Sequence, residues 1–302
     1  MTQTTTGSSR SHFVEAGNTL VHAITTGDSP ETIVLIHGGG PGASSWSNFS
    51  QNVPALSEQF SLVLLDLPGY GKSGPAADDG DSAFDYYAGI VEDVLDHLGV
   101  ERAHFIGNSL GGGVSFRFAA TRPERTGKLV LLGPAGVNFP VFTPSGKIHT
   151  YLGKVSGALL REPGPDTMRA FIENMVYDRS LAGDEVVEER LVDLAAATGA
   201  PDPASPMYKM WLDAKDREVR FNPADFESWR DCHKISAPTL LLWGRDDIFV
   251  PVDGALYPLQ YMPNAELQTF GKCGHWVQVE QQCEFDQATL EFLTRPASTT
   301  QN

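Results

Sequence analysis

Short apolar, β-branched runs recur along this chain, with stretches of helical length between them. Residues 19–25, 32–37, 60–66, 103–106, 128–132, 239–243 and 266–270 read as strands. Several are hydrophobic throughout rather than at alternate positions, as strands buried on both faces of a parallel sheet are. Residues 83–98, 113–121 and 283–293 read as helices. This alternation predicts an α/β fold with a mostly parallel central sheet and helices on both faces. The alternation stops after Leu132. From roughly 145 to 230 no strand pattern occurs, and 147–160, 166–176, 184–197 and 224–232 read as helices separated by Pro and Gly. The sheet pattern resumes at Pro238. The chain is therefore expected to comprise a first core part at 11–140, an inserted helical cap at 141–233 and a second core part at 234–296. The polar ends, 1–10 and 297–302, are expected to be disordered tails.

Chemistry-bearing residues gather where strands end. Gly107-Asn108-Ser109-Leu110-Gly111 lies between the strand at 103–106 and a helix-like run. By itself G-x-S-x-G is a common product of Gly/Ser loops. Between a strand and a helix it meets the requirements of a nucleophile elbow, with the serine at a sharp turn above the sheet. The helix beginning at Leu110 adds positive dipole where an oxyanion would develop. A second glycine-rich turn, His37-Gly38-Gly39-Gly40-Pro41-Gly42, follows the strand at 32–37. Its amides can approach a ligand without Cβ interference, so Gly39 and Leu110 are the candidate oxyanion donors. A phosphate cradle is disfavoured, because there is no G-K-S/T ending and no helix pattern opens at this loop. His37 reads as a positioning histidine. Past the strand at 239–243, Asp246 and Asp247 compete to orient a histidine; Asp247 is favoured, with Asp246 as a turn or capping residue. His275, after the last strand, is the candidate base. The order Ser109, Asp247, His275 is that of an α/β-hydrolase triad, in which His275 would take the Ser109 proton and Asp247 would fix the imidazole tautomer.

Charge narrows the partners. Lys and Arg number 22 against 38 Asp and Glu, a formal charge of −16. Such a field repels phosphate backbones and anionic lipid surfaces, which argues against nucleic-acid and membrane roles. An anionic substrate would need a local cation. The three cysteines, Cys232, Cys273 and Cys283, match no metal spacing and read as reduced thiols of a cytoplasmic protein. No run reaches the ~18 apolar residues of a membrane span, and the first ten residues lack the apolar core of a signal peptide. No metal or organic cofactor is implied.

These residues resemble the α/β-hydrolase superfamily over nearly the whole chain. More narrowly, they are similar to the meta-cleavage product hydrolases, which break C–C bonds in aromatic and steroid ring degradation. The motifs are His37 through Asn48, Asp66-Leu-Pro-Gly-Tyr-Gly-Lys-Ser73, Gly107 through Gly112, Gly127 through Pro134, Trp243 through Asp247, and Cys273-Gly-His-Trp276. The cap segment from Val176 to Arg190 is also similar. The resemblance implies an α/β-hydrolase fold and an anionic 2-hydroxy-6-oxohexa-2,4-dienoate-type substrate. Arg190 would hold its carboxylate or the neighbouring oxygen. Asn48, Asn108 and Trp276 would line the polar half of the site, Met175 and Phe249 the apolar half. The implied products are a 2-hydroxypenta-2,4-dienoate and a carboxylic acid. A homo-oligomer, a dimer or larger, is also implied.

Arg190 is the sharpest of these assignments. An arginine in a helix that carries Glu185, Glu188, Glu189 and Asp193 is ordinarily a surface salt-bridge partner. An acidic protein that binds an anionic dienoate nevertheless needs a planar cation, and guanidinium pairs bidentately with carboxylate. Some positions depart from relatives. Leu110 replaces a frequent Met but offers the same N–H, and Met175 stands where some relatives place Phe. Residues 198–206 and Met207 through Trp211 match nothing in the family pattern. A carboxylesterase or lactonase could use the same triad without needing Arg190. A non-catalytic receptor could retain the triad, while a haloalkane dehalogenase would carry Asp at position 109.

Overall fold

A computed structural model describes residues 9–76, 82–139, 142, 155–196 and 227–296. Eight strands form one sheet in the order β1-β2-β4-β3-β5-β6-β7-β8. They are β1 (Arg10–Ala16), β2 (Thr19–Thr26), β3 (Thr32–Ile36), β4 (Ser61–Leu65), β5 (Ala103–Asn108), β6 (Thr126–Leu132), β7 (Thr239–Gly244) and β8 (Ala265–Phe270). The pairs β1–β2 and β2–β4 are antiparallel; every other neighbouring pair is parallel.

The continuous apolar runs have a simple consequence. Successive side chains of a strand point to opposite faces, so each run feeds two cores at once. Ile33 and Leu35 of β3 pack with Leu62, Leu64, Val130 and Leu132 on one face. Val34 and Ile36 pack with Val63, Leu65, Phe105 and Leu131 on the other. Four helices close the first face: α1 (Ser45–Phe49), α2 (Val53–Leu56), α9 (Val277–Glu280) and α10 (Gln282–Thr294), through Phe49, Leu56, Val277 and Phe285. The opposite face is closed by α3 (Ala83–His97) and α4 (Leu110–Thr121), through Tyr87, Val91, Val114 and Phe118. The short α8 (Leu256–Tyr261) precedes β8.

Between β6 and β7 the chain leaves the sheet. Helix α5 at 155–161, α6 (Pro165–Met175) and α7 (Asp184–Ala196) form a separate apolar cluster with Leu159, Phe171, Ile172, Met175 and Val187. Phe249 and Trp276 of the core join that cluster, so the inserted helices sit on the ends of β7 and β8.

The structure corrects three expectations. β1 is absent from the strand pattern because only Val14 and Ala16 of Arg10–Ala16 are buried, leaving an edge strand that reads as polar. Arg10 pairs with Thr25 and so belongs to the sheet, not to a tail. The helix expected to begin at Leu110 does so, and its pattern reads clearly only over 113–121 because Gly111, Gly112 and Gly113 are poor helix formers. The described part of the expected 224–232 helix is a 3-10 turn, Ser228–Lys234. The expected tails at 1–8 and 297–302, the helix start at 147–154 and the segment 197–226 lie outside the described residues.

Candidate active site

Ser109 caps α4 with φ 50° and ψ −110°, a left-handed conformation rare for a non-glycine residue. The turn holds it there. The Ser109 amide donates to Leu132 O at 2.8 Å, and its carbonyl accepts from Ala135 N at 2.8 Å. Glycines on either side make the turn possible. A Cβ at Gly107 would collide with the Gly111 carbonyl, and one at Gly111 with the Ile36 carbonyl. Strand, elbow and neighbouring loop therefore touch backbone to backbone. Gly111 N donates to His37 O at 3.0 Å, tying the elbow to the glycine-rich loop. Leu110 N lies in the first turn of α4, where helix geometry leaves amides without an intrahelical acceptor.

The loop after β3 is fixed by side chains beneath it. His37 is fully buried; its Nδ1 donates to Gly38 O at 2.7 Å and its Nε2 accepts from Leu67 N at 3.0 Å. That pattern requires the neutral ring, and burial pushes its pKa down. Tyr70 Oη donates to Gly39 O at 3.0 Å. Asn48 Oδ1 accepts from Gly38 N at 3.2 Å, while Asn48 Nδ2 is buried with no hydrogen-bond partner among the described residues. Gly38 lies against Asn108 and Ser109, and Gly40 against Phe171 and Met175 of α6.

At the ends of β7 and β8, His275 Nδ1 donates to Asp247 Oδ2 at 2.7 Å, both side chains being buried. Asp247 Oδ1 accepts from the amides of Phe249 at 2.7 Å and Val250 at 2.9 Å. The adjacent Asp246 points elsewhere, pairing with Arg245 at 3.0 Å and accepting from Lys272 N at 2.8 Å. His275 Nε2 is buried and has no hydrogen-bond partner among the described residues. Asn108 Nδ2 donates to His275 O at 3.3 Å, linking the serine strand to the histidine loop. Phe249 stacks on the His275 ring at 5.4 Å and 22°, and meets Phe171 edge-on at 6.5 Å. Ser109, Asp247 and His275 all sit where parallel strands end, the edge at which open α/β sheets bind ligands.

Arg190 comes from the inserted helices. It is 3% exposed, and its guanidinium lies 4.2 Å from the centroid of the Trp276 ring, next in sequence to His275. It makes no ion pair among the described residues. Burial lowers its pKa to about 10, with Asp193 and Glu189 opposing the fall, so it stays a cation at neutral pH. Asp193, one turn further along α7, accepts from Ser44 Oγ at 2.6 Å and anchors the helix to the core.

A model of the α/β hydrolase fold matches residues 31–282. A 2-hydroxy-6-oxononadienedioate/2-hydroxy-6-oxononatrienedioate hydrolase of Paraburkholderia phymatum is 39% identical over 285 residues, covering 93% of this chain and 94% of the relative. The chain belongs to the meta-cleavage product hydrolases of the α/β-hydrolase superfamily. Solved hydrolases of this family agree. A meta-cleavage product hydrolase of Pseudomonas fluorescens superposes with TM-score 0.75 at 28% identity, over 95% of this chain and 97% of that one. A 2-hydroxy-6-oxo-6-phenylhexa-2,4-dienoate hydrolase of Rhodococcus superposes with TM-score 0.76 at 26% identity, over 96% and 100%.

The hydrolase also has contributors that motif spacing did not reveal. Phe171 reaches both the glycine-rich loop and Phe249; the only sequence hint is its place on the apolar stripe of α6. The Ser44–Asp193 contact spans 149 positions and leaves no local signal. Among the described residues, no cluster of three His, Cys, Asp or Glu side chains is placed to hold a metal, and no helix is long and apolar enough to cross a membrane.

Proposed function

We propose that this chain hydrolyses a C–C bond of a 2-hydroxy-6-oxohexa-2,4-dienoate-type ring-fission product. The reaction consumes water and yields a 2-hydroxypenta-2,4-dienoate and a carboxylic acid. One observation carries the reading: a buried guanidinium that makes no ion pair among the described residues, stacked on Trp276 beside the Ser109, His275 and Asp247 constellation. A buried cation is costly unless something neutralises it. A substrate carboxylate does so here, against the repulsion of a −16 chain.

In the proposed course, Arg190 orients the dienoate carboxylate or the neighbouring oxygen, with Asn48, Asn108 and Trp276 around the polar half. Ketonisation of the dienol turns the distal fragment into a stabilised leaving group. His275 Nε2 then acts as base for addition to the C6 carbonyl, with Ser109 as nucleophile or as donor to an attacking water. The Gly39 and Leu110 amides receive the developing oxyanion. As the C–C bond breaks, its electron pair passes into the dienol(ate) fragment, and His275 returns the proton. Asp247 holds the imidazole throughout. Met175 and Phe249 surround the group left on the acyl carbon.

The three-part organisation, with a cap at 141–233 between core parts at 11–140 and 234–296, is part of this reading; the helical cluster at 155–196 supports it. So are a homo-oligomeric state, dimer or larger, and a cytoplasmic location, the latter in keeping with three free cysteines.

The test offers monocyclic, biphenyl-type and steroid-type dienoates beside p-nitrophenyl esters and follows loss of the dienoate chromophore. Arg190→Ala is expected to lower kcat/KM for dienoates about 100-fold, the scale of a lost charge-assisted pair. Ester turnover should change less than about threefold. Ester turnover without any dienoate turnover, or equal losses on both, would assign the site to an esterase or lactonase.

A further inference from the structure

We infer that Glu280 is a positioning residue for His275 and the point at which the inserted helices are coupled to the catalytic loop. The inference rests on the reading of His275 as the base.

The His275 loop lies outside the sheet's strand pairing. β8 ends at Phe270, and α9 begins only at Val277. Asn108 reaches the His275 carbonyl and Asp246 the Lys272 amide and Cys273 carbonyl, and two further contacts hold the amides at 274 and 275. His275 N donates to the carbonyl of Met175, the last residue of α6, at 2.7 Å. Gly274 N donates to Glu280 Oε1 at 2.7 Å. The second oxygen of the same carboxylate, Oε2, accepts from Tyr177 N at 2.6 Å. The amides of Asp178 and Trp276 also act on this carboxylate. Glu280 therefore gathers amides from both sides of His275 and from the chain just past α6. Its own backbone is anchored by Glu280 N donating to Trp276 O at 2.8 Å.

The arrangement makes a closed circuit. It runs from Glu280 to Gly274, through the peptide to His275, across to Met175, through Val176 to Tyr177, and back to Glu280. A shift of α6 cannot occur without moving the His275 backbone or breaking one of these bonds. Only a carboxylate closes the circuit, since both oxygens must accept from N–H groups. A carboxamide offers one acceptor and turns its NH2 towards an amide. Among the described residues no hydrogen bond or ion pair joins the Glu280 carboxylate to the His275 ring or to Asp247, so it acts through the loop and not on the reacting atoms.

The test measures steady-state kinetics of the full chain on a dienoate and on p-nitrophenyl acetate. For Glu280→Gln, kcat should fall about 10- to 50-fold on both substrates, with KM for the dienoate within about twofold. The split follows because His275 serves both reactions while Arg190 is untouched. Tyr177→Pro removes the 2.6 Å amide donor past α6 and leaves the Gly274 bond in place, and Val176 already has the extended backbone (φ −116°, ψ 153°) that precedes proline. It should lower kcat on the dienoate about 5- to 10-fold and leave ester kcat within about twofold. Should Glu280→Gln not fold, Tyr177→Pro carries the test alone. A folded Glu280→Gln chain with kcat within twofold of the parent on both substrates would overturn the inference. So would a loss confined to KM, or a Tyr177→Pro chain unchanged on the dienoate. If the parent turns over esters but no dienoate, the substrate reading fails while the Glu280→Gln ester arm still decides the positioning role.

Discussion

The sheet core and the inserted helices bury their side chains by different rules. In the core each strand feeds two apolar layers, and helices close both. The inserted helices share one smaller cluster, and that cluster is complete only with Phe249 and Trp276 from the core. Neither core layer draws a side chain from residues 155–196, whereas the helices' own cluster takes Phe249 and Trp276 from the core. Function is divided the same way. Ser109, Asp247 and His275 come from strand ends, whereas Arg190 and Met175 come from the inserted part. On the proposed reading, the chemistry belongs to the strand ends and recognition to the inserted part.

The largest effect should come from the core. Ser109→Ala is expected to cut kcat/KM at least about 1,000-fold on dienoates and esters alike. Stopped-flow loss of the chromophore and a p-nitrophenol assay measure the two; an effect on one substrate alone would break the division of labour.

Next come paired truncations, one in each region. Phe105 and Phe171 are both fully buried. Phe105→Ala should cost about 3–5 kcal/mol and lower the calorimetric melting temperature by about 10 °C. Phe171→Ala should lower the main transition by less than about half as much, while reducing dienoate kcat/KM about tenfold. Equal shifts in melting would mean that core and inserted helices unfold as one unit.

The smallest effect is a difference in the sign of acid response. Burial would push the Asp66 carboxyl up, but hydrogen bonds from His22 and from the Ser45 amide and hydroxyl bring it down to about 2. A depressed carboxyl stabilises the fold above its unfolded value, and that contribution is lost as pH falls through the folded value. Asp66 should thus contribute about 2 kcal/mol at neutral pH, fading between about pH 4 and pH 2. Asp193 and Glu280, at contacts between the two regions, are shifted the other way by burial. Their contribution is greatest below the ordinary carboxylate range and fades as pH rises through their raised values. Urea midpoints from pH 2 to 7 for the parent and Asp66→Asn measure the core contribution. An unchanged acid limb in Asp66→Asn would remove it.

Legibility followed the same line. The central strands announce themselves because burial on both faces leaves no polar position, as in Thr32–Ile36 and Ser61–Leu65. The elbow is legible because glycine is required on either side of Ser109. β1 was not, since an edge strand covered on one face carries polar residues that merge with the polar terminus. Within the inserted part, α6 and α7 could be placed from their apolar stripes and acidic first turns. What spacing could not reveal was contact between distant segments. Asp246 and Asp247 are neighbours in sequence, and only the turn after β7, which presents the Phe249 and Val250 amides to one of them, sets their roles apart. Glu280 gave no signal, because its partners are backbone amides that any residue supplies.

The backbone at Ser109 carries one more implication. A serine at φ 50° and ψ −110° holds roughly 1–3 kcal/mol of conformational strain that the surrounding turn must contain. Glycine would tolerate the same angles without penalty. An inert Ser109→Gly chain should therefore be hardier than its active parent, marking the position as one where durability has been surrendered for reactivity.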